Sequence, residues 1–275
     1  RKEWEPVIKE FEERTGWNVR VETGSAKEML SQLEKEEADW DVAFGVSADA
    51  LEEGKEYWQT GKDAWTGYSA VSFVILYNTN VVTYRELPTG WDSLLEPRWK
   101  GRVAVPDPLK SDMAASVLTE AAKNSEKEEF LDLLAENMQY QMPETFKEVE
   151  QGISDGRYSI GVTSEEAAKA MLAAGQDVDY IDPEEGECFF EDGTAIRKRT
   201  PNLDASEAFV TYTTCDDTKW LLRTQLLRQP AEDVAAENDR SDEDLKQRYS
   251  RQQEVLNIWK LIMEEKSGSA HEQEQ

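Results

Sequence analysis

Gly90-Trp91-Asp92-Ser93-Leu94-Leu95-Glu96-Pro97-Arg98-Trp99-Lys100-Gly101-Arg102-Val103-Ala104-Val105-Pro106-Asp107-Pro108, followed by Ser111-Asp112, decides how the chain is read. In order, these residues predict a helical turn, a proline-broken linker, a buried strand and a polar loop entering a helix. That succession is how an α/β lobe offers a helix N-terminus, with its amides and positive dipole end, to a ligand. The stretch is built for recognition, because no reactive group lies within it.

Outward from this stretch the strand, turn and helix unit repeats. Glu5-Pro6 opens a helix with Val7, Ile8 and Phe11 on one face, and Thr15-Gly16 ends it. Residues 18–22 alternate as a short strand. Gly24-Ser25 leads into a helix over 26–36 with Ser25 as its N-cap. Residues 40–44 read as a buried strand, and Gly45-Val46-Ser47-Ala48-Asp49 turns into a helix over 50–58. Residues 71–78 form a continuous apolar strand and 102–105 the next one. Helices follow over 111–123, 127–137 and 146–154, then a strand over 159–162, a helix over 165–174 and a strand over 178–181. Residues 194–197 make a return strand, helices over 203–212, 218–227 and 245–263 close the chain, and the acidic stretch 232–244 is a solvated loop or a frayed helix. This repetition argues for an α/β architecture of mostly parallel sheets with ligand loops at the carboxyl ends of strands.

With 275 residues, 39% of them hydrophobic, the chain can build one large or two modest cores. No run reaches the ~20 apolar residues that span a bilayer, and residues 1–11 mix charged with apolar side chains, unlike a signal-peptide core. The net charge of −27 repels nucleic acid, and no basic cluster interrupts it. Cys188 and Cys215 fit one disulfide, the preferred reading, or two buried thiols, and their separation is no metal-ligand spacing. The sole histidine, His271, lies in the polar tail 267–275, which argues against histidine catalysis and histidine-rich metal sites. No cofactor is expected. Gly-x-Ser-x-Gly and P-loop patterns are absent, and the pairs Glu36-Glu37, Glu165-Glu166 and Glu184-Glu185 read as solvated charge, since helix neighbours project in different directions.

Several motifs in one order carry a resemblance. Glu10-Phe11-Glu12-Glu13-Arg14-Thr15-Gly16, Leu76-Tyr77-Asn78-Thr79, the stretch 91–108, Tyr158-Ser159-Ile160-Gly161-Val162, Pro183-Glu184-Glu185-Gly186, Asp192-Gly193-Thr194-Ala195-Ile196 and residues 202–209 follow in family sequence. The chain resembles bacterial extracellular solute-binding proteins of ATP-binding-cassette (ABC) transporters, of the type 2 periplasmic-binding group that includes ferric-iron and organophosphonate binders. The resemblance implies two lobes with two hinge crossings near 78–82 and 190–197. Residues 1–80 and 195–275 would form the first lobe, and 81–194 the second. Such proteins begin with a strand and a ligand-contacting loop, which places Arg1 just past that strand, and the connection between Trp58 and Trp65 is shorter than the family's.

The resemblance further implies an extracytoplasmic monomer, free in the periplasm or lipid-anchored, that clamps a small polar solute between its lobes and passes it to transporter membrane subunits. The alternative is a ligand-sensing ectodomain of the same fold. Gly24 with Ser25, Gly45 with Ser47, Ser111 with Asp112, and Thr163 with Ser164 occupy strand-to-helix turns that would face the cleft. For each serine the competing role is an N-cap, worth about 1 kcal/mol. Tyr68 and Ser72 enter the crossing strand and would line the cleft, with core packing the equal alternative for Tyr68, whereas Trp65 reads as core. Ferric-iron members place adjacent tyrosines where this chain has Thr163-Ser164-Glu165-Glu166, so iron would need other ligands, such as Glu165. Helix N-termini suit a phosphonate or a sugar phosphate, while Asp112 suits a cationic or zwitterionic one.

Overall fold

The structure, a computed structural model, describes residues 4–59, 64–186, 188–235 and 242–273. In chain order it forms α1 (Glu5–Thr15), α2 (Ala26–Glu34), β1 (Val42–Ser47), α3 (Ala48–Glu53), β2 (Thr66–Asn78), β3 (Val103–Ala104), α4 (Asp112–Asn124), α5 (Phe130–Asn137), α6 (Phe146–Ser154), β4 (Ile160–Ser164), α7 (Glu165–Ala173), β5 (Val178–Ile181), β6 (Cys188–Ile196), α8 (Leu203–Thr213), α9 (Asp216–Leu221), β7 (Gln229–Pro230), α10 (Ala231–Ala235) and α11 (Asp242–Gln273). Two compact units share the chain. The first holds residues up to Val71 with Phe190–Tyr249, and the second holds Ser72–Phe189 with residues from Ser250 onward. The chain therefore passes between units within β2 and β6, at 71/72 and 189/190, where the sequence reading put 80/81 and 194/195. It passes again within α11, whose residues from 250 onward group with the second unit instead of the first.

In the first unit, Pro6 presets the opening turn of α1, and Gly16 ends it in a left-handed conformation. The buried stripe Val7, Ile8, Phe11 then meets α8 and α9, with Phe11 edge-on to Phe209 at 5.0 Å and Tyr212 and Leu221 beside them. Each such large side chain contributes roughly 1.5–3 kcal/mol of burial. A second cluster joins Leu30 and Leu33 of α2 to Ala43, Leu51, Trp58 and Ala195, and the Trp58 indole donates to the Leu51 carbonyl at 2.7 Å. Residues 18–22 are not a strand. Alternation makes a strand only against a partner, and the described residues give Val19 a hydrogen bond to the Glu12 side chain instead.

In the second unit, β3 runs parallel to β4, and a Cβ at Gly161 would come within 2.5 Å of the Ala104 carbonyl, so glycine lets the two backbones approach. The opening stretch folds as read: 3-10 turns at Trp91–Leu95 and Pro97–Trp99, then β3, then α4 capped by Ser111. Its backbone is irregular, so its polar groups need side-chain partners. The Asn137 amide donates to the carbonyls of Leu94 (2.7 Å) and Glu96 (3.0 Å). The Glu185 carboxylate accepts from the amides of Trp91 (2.9 Å) and Asp92 (3.1 Å), while the Trp91 indole donates to the Gly186 carbonyl. Two of the family-like motifs, 91–108 and 183–186, thus hold each other.

Two expectations are corrected. Among the described residues β1 runs antiparallel to β6, β2 runs antiparallel to β4, β5 and β7, and β3 runs parallel to β4, so the pairing is mixed rather than mostly parallel. The long strand β2 imposes this by taking antiparallel neighbours in both units. No disulfide joins Cys188 and Cys215: Cys188 is buried in the second unit and Cys215 half-buried in the first. Residues 60–63, in the Trp58 to Trp65 connection, and 236–241, in the acidic stretch, lie outside the described residues. Asn137→Ala strands two buried carbonyls and is expected to cost about 2–4 kcal/mol, measured by urea denaturation.

Candidate ligand-binding site

In the second unit the parallel pair β3 and β4 sets the geometry, because parallel strands bring their carboxyl ends to one edge. From that edge the loop after β3 reaches Ser111 and Asp112 at the start of α4, and β4 runs through Thr163 and Ser164 straight into Glu165 of α7. Ser164 pairs with Phe73 of β2, so Ser72 lies beside the same strand end. The structure therefore brings Ser72, Thr163, Ser164 and Glu165 together at one strand end, and places Ser111 and Asp112 in the same unit, at the head of the helix that follows β3. Ser111 accepts from the Ala114 amide (3.3 Å) and Ser164 from the Ala167 amide (3.2 Å), so both serve as N-caps. Glu165 reaches Lys169 at 2.9 Å. Thr163 is buried and donates its hydroxyl to Glu150 of α6 at 2.7 Å. Burial pushes the Glu150 carboxyl up from its ordinary range, and the Thr163 hydroxyl and Lys147 pull it back.

In the first unit, β1 bulges between Phe44 and Val46, leaving Gly45 opposite no residue of β6 at a φ of +69° that favours glycine. A Cβ there would lie 3.3 Å from the Trp4 indole nitrogen and 3.7 Å from the Tyr68 hydroxyl oxygen. Tyr68 is buried, stacked on Phe44 at 5.0 Å with Trp4 edge-on to both. Ser47 is buried and makes no capping bond to α3. Beside it Asp49 is buried as well: burial pushes its carboxyl up, against the Ser47 hydroxyl, the charge of Arg248 and the amides of Asp49 and Ala50. Gly24 and Ser25 form an exposed turn. The Ser25 hydroxyl accepts from the Glu28 amide (3.2 Å) and Glu28 accepts from the Ser25 amide (2.9 Å), a closed capping box. Trp65 packs on the Leu51 and Trp58 cluster, as a core residue should.

Sequence reasoning passed over two carboxylates under the turns, the half-buried Glu150 and the buried Asp49. Asp49 had a visible signal, an acid two residues past a turn serine, whereas Glu150 sits on a separate helix with nothing in its own spacing to mark it.

Residues 25–253 match the family of bacterial extracellular solute-binding proteins. The chain belongs to that family. Iron uptake protein A1 of Synechocystis is 23% identical to this family member over 262 residues, 83% of this chain and 69% of that protein. The ferric binding protein of Campylobacter jejuni superposes with a TM-score of 0.76 at 17% identity, covering 95% of this chain and 96% of that one. The periplasmic binding protein AfuA of Actinobacillus pleuropneumoniae, solved with fructose-6-phosphate bound, does so with a TM-score of 0.76 at 15% identity, covering 95% of each chain. At these identities the structural likeness is one of fold, the type 2 periplasmic-binding fold.

Because folding raises the Asp49 and Glu150 pKa, native solute-binding protein holds those protons more tightly than the unfolded chain does. Their contribution to stability is therefore greatest at and below the ordinary carboxyl range and falls as pH rises through the raised values. Asp49→Asn and Glu150→Gln are each expected to flatten this decline. Relative to the parent, each should gain more at about pH 8 than at about pH 5 in urea titrations.

Proposed function

We propose that the protein captures a small polar solute in a cleft between its two lobes, outside the cytoplasm, and delivers it to the membrane subunits of an ABC transporter as a monomer. The lobes expected at 1–80 with 195–275 and at 81–194 correspond in this reading to the two compact units. One observation supports the reading: β3 and β4 run parallel, and each leads on to a helix of nine residues or more headed by a capping serine, Ser111 for α4 and Ser164 for α7. Family membership supports it. No helix among the described residues is long and apolar enough to cross a membrane, which fits a protein that works outside one.

A phosphorylated or phosphonate solute gains from the amide ends of α4 and α7, and the fructose-6-phosphate in AfuA supports that class. Ferric iron is the second reading, favoured by what the Synechocystis and Campylobacter relatives are named for, with Glu165 and Asp112 as hard oxygen donors. Native mass spectrometry of gently purified protein, then thermal-shift screening with phosphonates, sugar phosphates, polyamines and ferric citrate, separates the two. The compound that binds is expected to lose about ten-fold or more in affinity with Ser111→Ala or Ser164→Ala. Ser25→Ala, whose hydroxyl is held in its capping box, should lose about 1 kcal/mol of stability and no affinity. A screen in which nothing binds, or binding that ignores both serines, overturns the site.

A further inference from the structure

The first unit holds a buried charged knot that the proposed site does not use. Asp192 on β6 and Arg228, the residue before β7, form an ion pair with each side chain 4% exposed, and Ser69 on β2 is fully buried beside them. The Ser69 hydroxyl donates to the Asp192 carboxylate at 2.9 Å. Arg228 donates through one nitrogen to both Asp192 and Ser69. The guanidinium carbon lies 4.9 Å from the centre of the Trp4 ring, which itself contacts Phe44 of β1 and Tyr68 of β2. Behind it, Gln229 and Pro230 pair with Ala70 and Ser69.

The knot's place in the chain gives it meaning. Ser69 lies two residues before β2 leaves the first unit at 71/72, and Asp192 lies two residues after β6 re-enters it at 189/190. A buried ion pair adds little stability over well-packed apolar side chains, but it fixes geometry, and a planar guanidinium can engage two strands while stacking on an indole. We propose that Arg228 is a positioning residue of the clamp. By neutralising Asp192 and donating to Ser69 as well, it braces two crossing strands that already neighbour each other in the sheet, so that bending is confined to the residues beyond it. This rests on the clamp reading above.

Hydrogen exchange of the full chain, followed by mass spectrometry, tests it with the double variant Asp192→Asn/Arg228→Met, which removes both charges of the pair. Amides in residues 66–71 and 190–196 are expected to exchange about ten-fold or more faster than in the parent, while those of β4 and α7 keep their parent rates. An equal acceleration everywhere would mean only lost stability and overturns the proposal, as does no change. Should the double variant fail to fold, Ser69→Ala decides: faster exchange confined to the two segments is expected, and parent rates throughout or an equal acceleration everywhere overturns the proposal. The clamp reading fails separately. Spin labels placed by Lys35→Cys and Lys127→Cys, on exposed positions in the two units and with Cys215→Ser, would keep one distance whether or not a bound solute is present, and the exchange result would stand.

Discussion

A buried amide, carbonyl or charge that loses water must find a partner or cost about 1–3 kcal/mol, more when charged. Much of this chain is shaped by that constraint, because its functional segments are irregular backbone packed inside. The run from Gly90 to Pro108 holds two 3-10 turns and a two-residue strand, so its own ladder satisfies few of its groups. Asn137 and Glu185 supply what the ladder cannot, the amide serving two carbonyls and the carboxylate two amides. Asn78 does similar service at the end of β2, donating to the Ile153 carbonyl at 2.7 Å and accepting from the Asn80 amide at 2.9 Å. With those partners in place, β3 can lie against β4, and the loops that follow them share an edge.

What the sequence made legible was whatever depends on neighbours in the chain. α6 and β5 fall at the expected bounds, and α1, α4 and α7 differ from theirs by at most a residue or two, because apolar spacing, caps and glycine stops are local signals. Ser25, Ser111 and Ser164 cap the helices that their positions announce. Pairing was hidden. Nothing in residues 18–22 says whether a partner strand is at hand, and nothing in residues 66–70 marks the start of β2, whose polar and small residues look like a loop until β7 pairs with them. The partners of Thr163 and Asp192 were hidden for the same reason, since Glu150 and Arg228 lie outside the strands they meet and only the fold determines their approach.

The caps also show how one residue type serves two ends. Ser111 and Ser164 have hydroxyls spent on the amides of Ala114 and Ala167, so their first contribution is to helix stability. A hydroxyl bound in that way is held in one rotamer, and its remaining lone pair has a fixed direction. Preorganisation of this kind lowers the entropy cost of meeting a solute. The capping role and the binding role are thus compatible at these two positions, while at Ser25 the capping box engages both hydroxyl and amide.

Charge at short range matters more than the total of −27, because fields between exposed groups fade over about 8 Å at physiological salt. The first turns of α2, α3, α4 and α7 each carry an acid: Glu28, Asp49, Asp112 and Glu165. Glu28 is folded back on the Ser25 amide, which lowers its pKa, and Glu165 is bound to Lys169, so each offsets part of its helix dipole within its own chain. The heads of α4 and α7 therefore pair amide ends with carboxylates inside a single turn. A simple anion meets attraction and repulsion there together, and so does a simple cation. In the proposed site, a solute that carries both hydrogen-bond donors and acceptors, such as a sugar phosphate, would use the amides and the carboxylates at once.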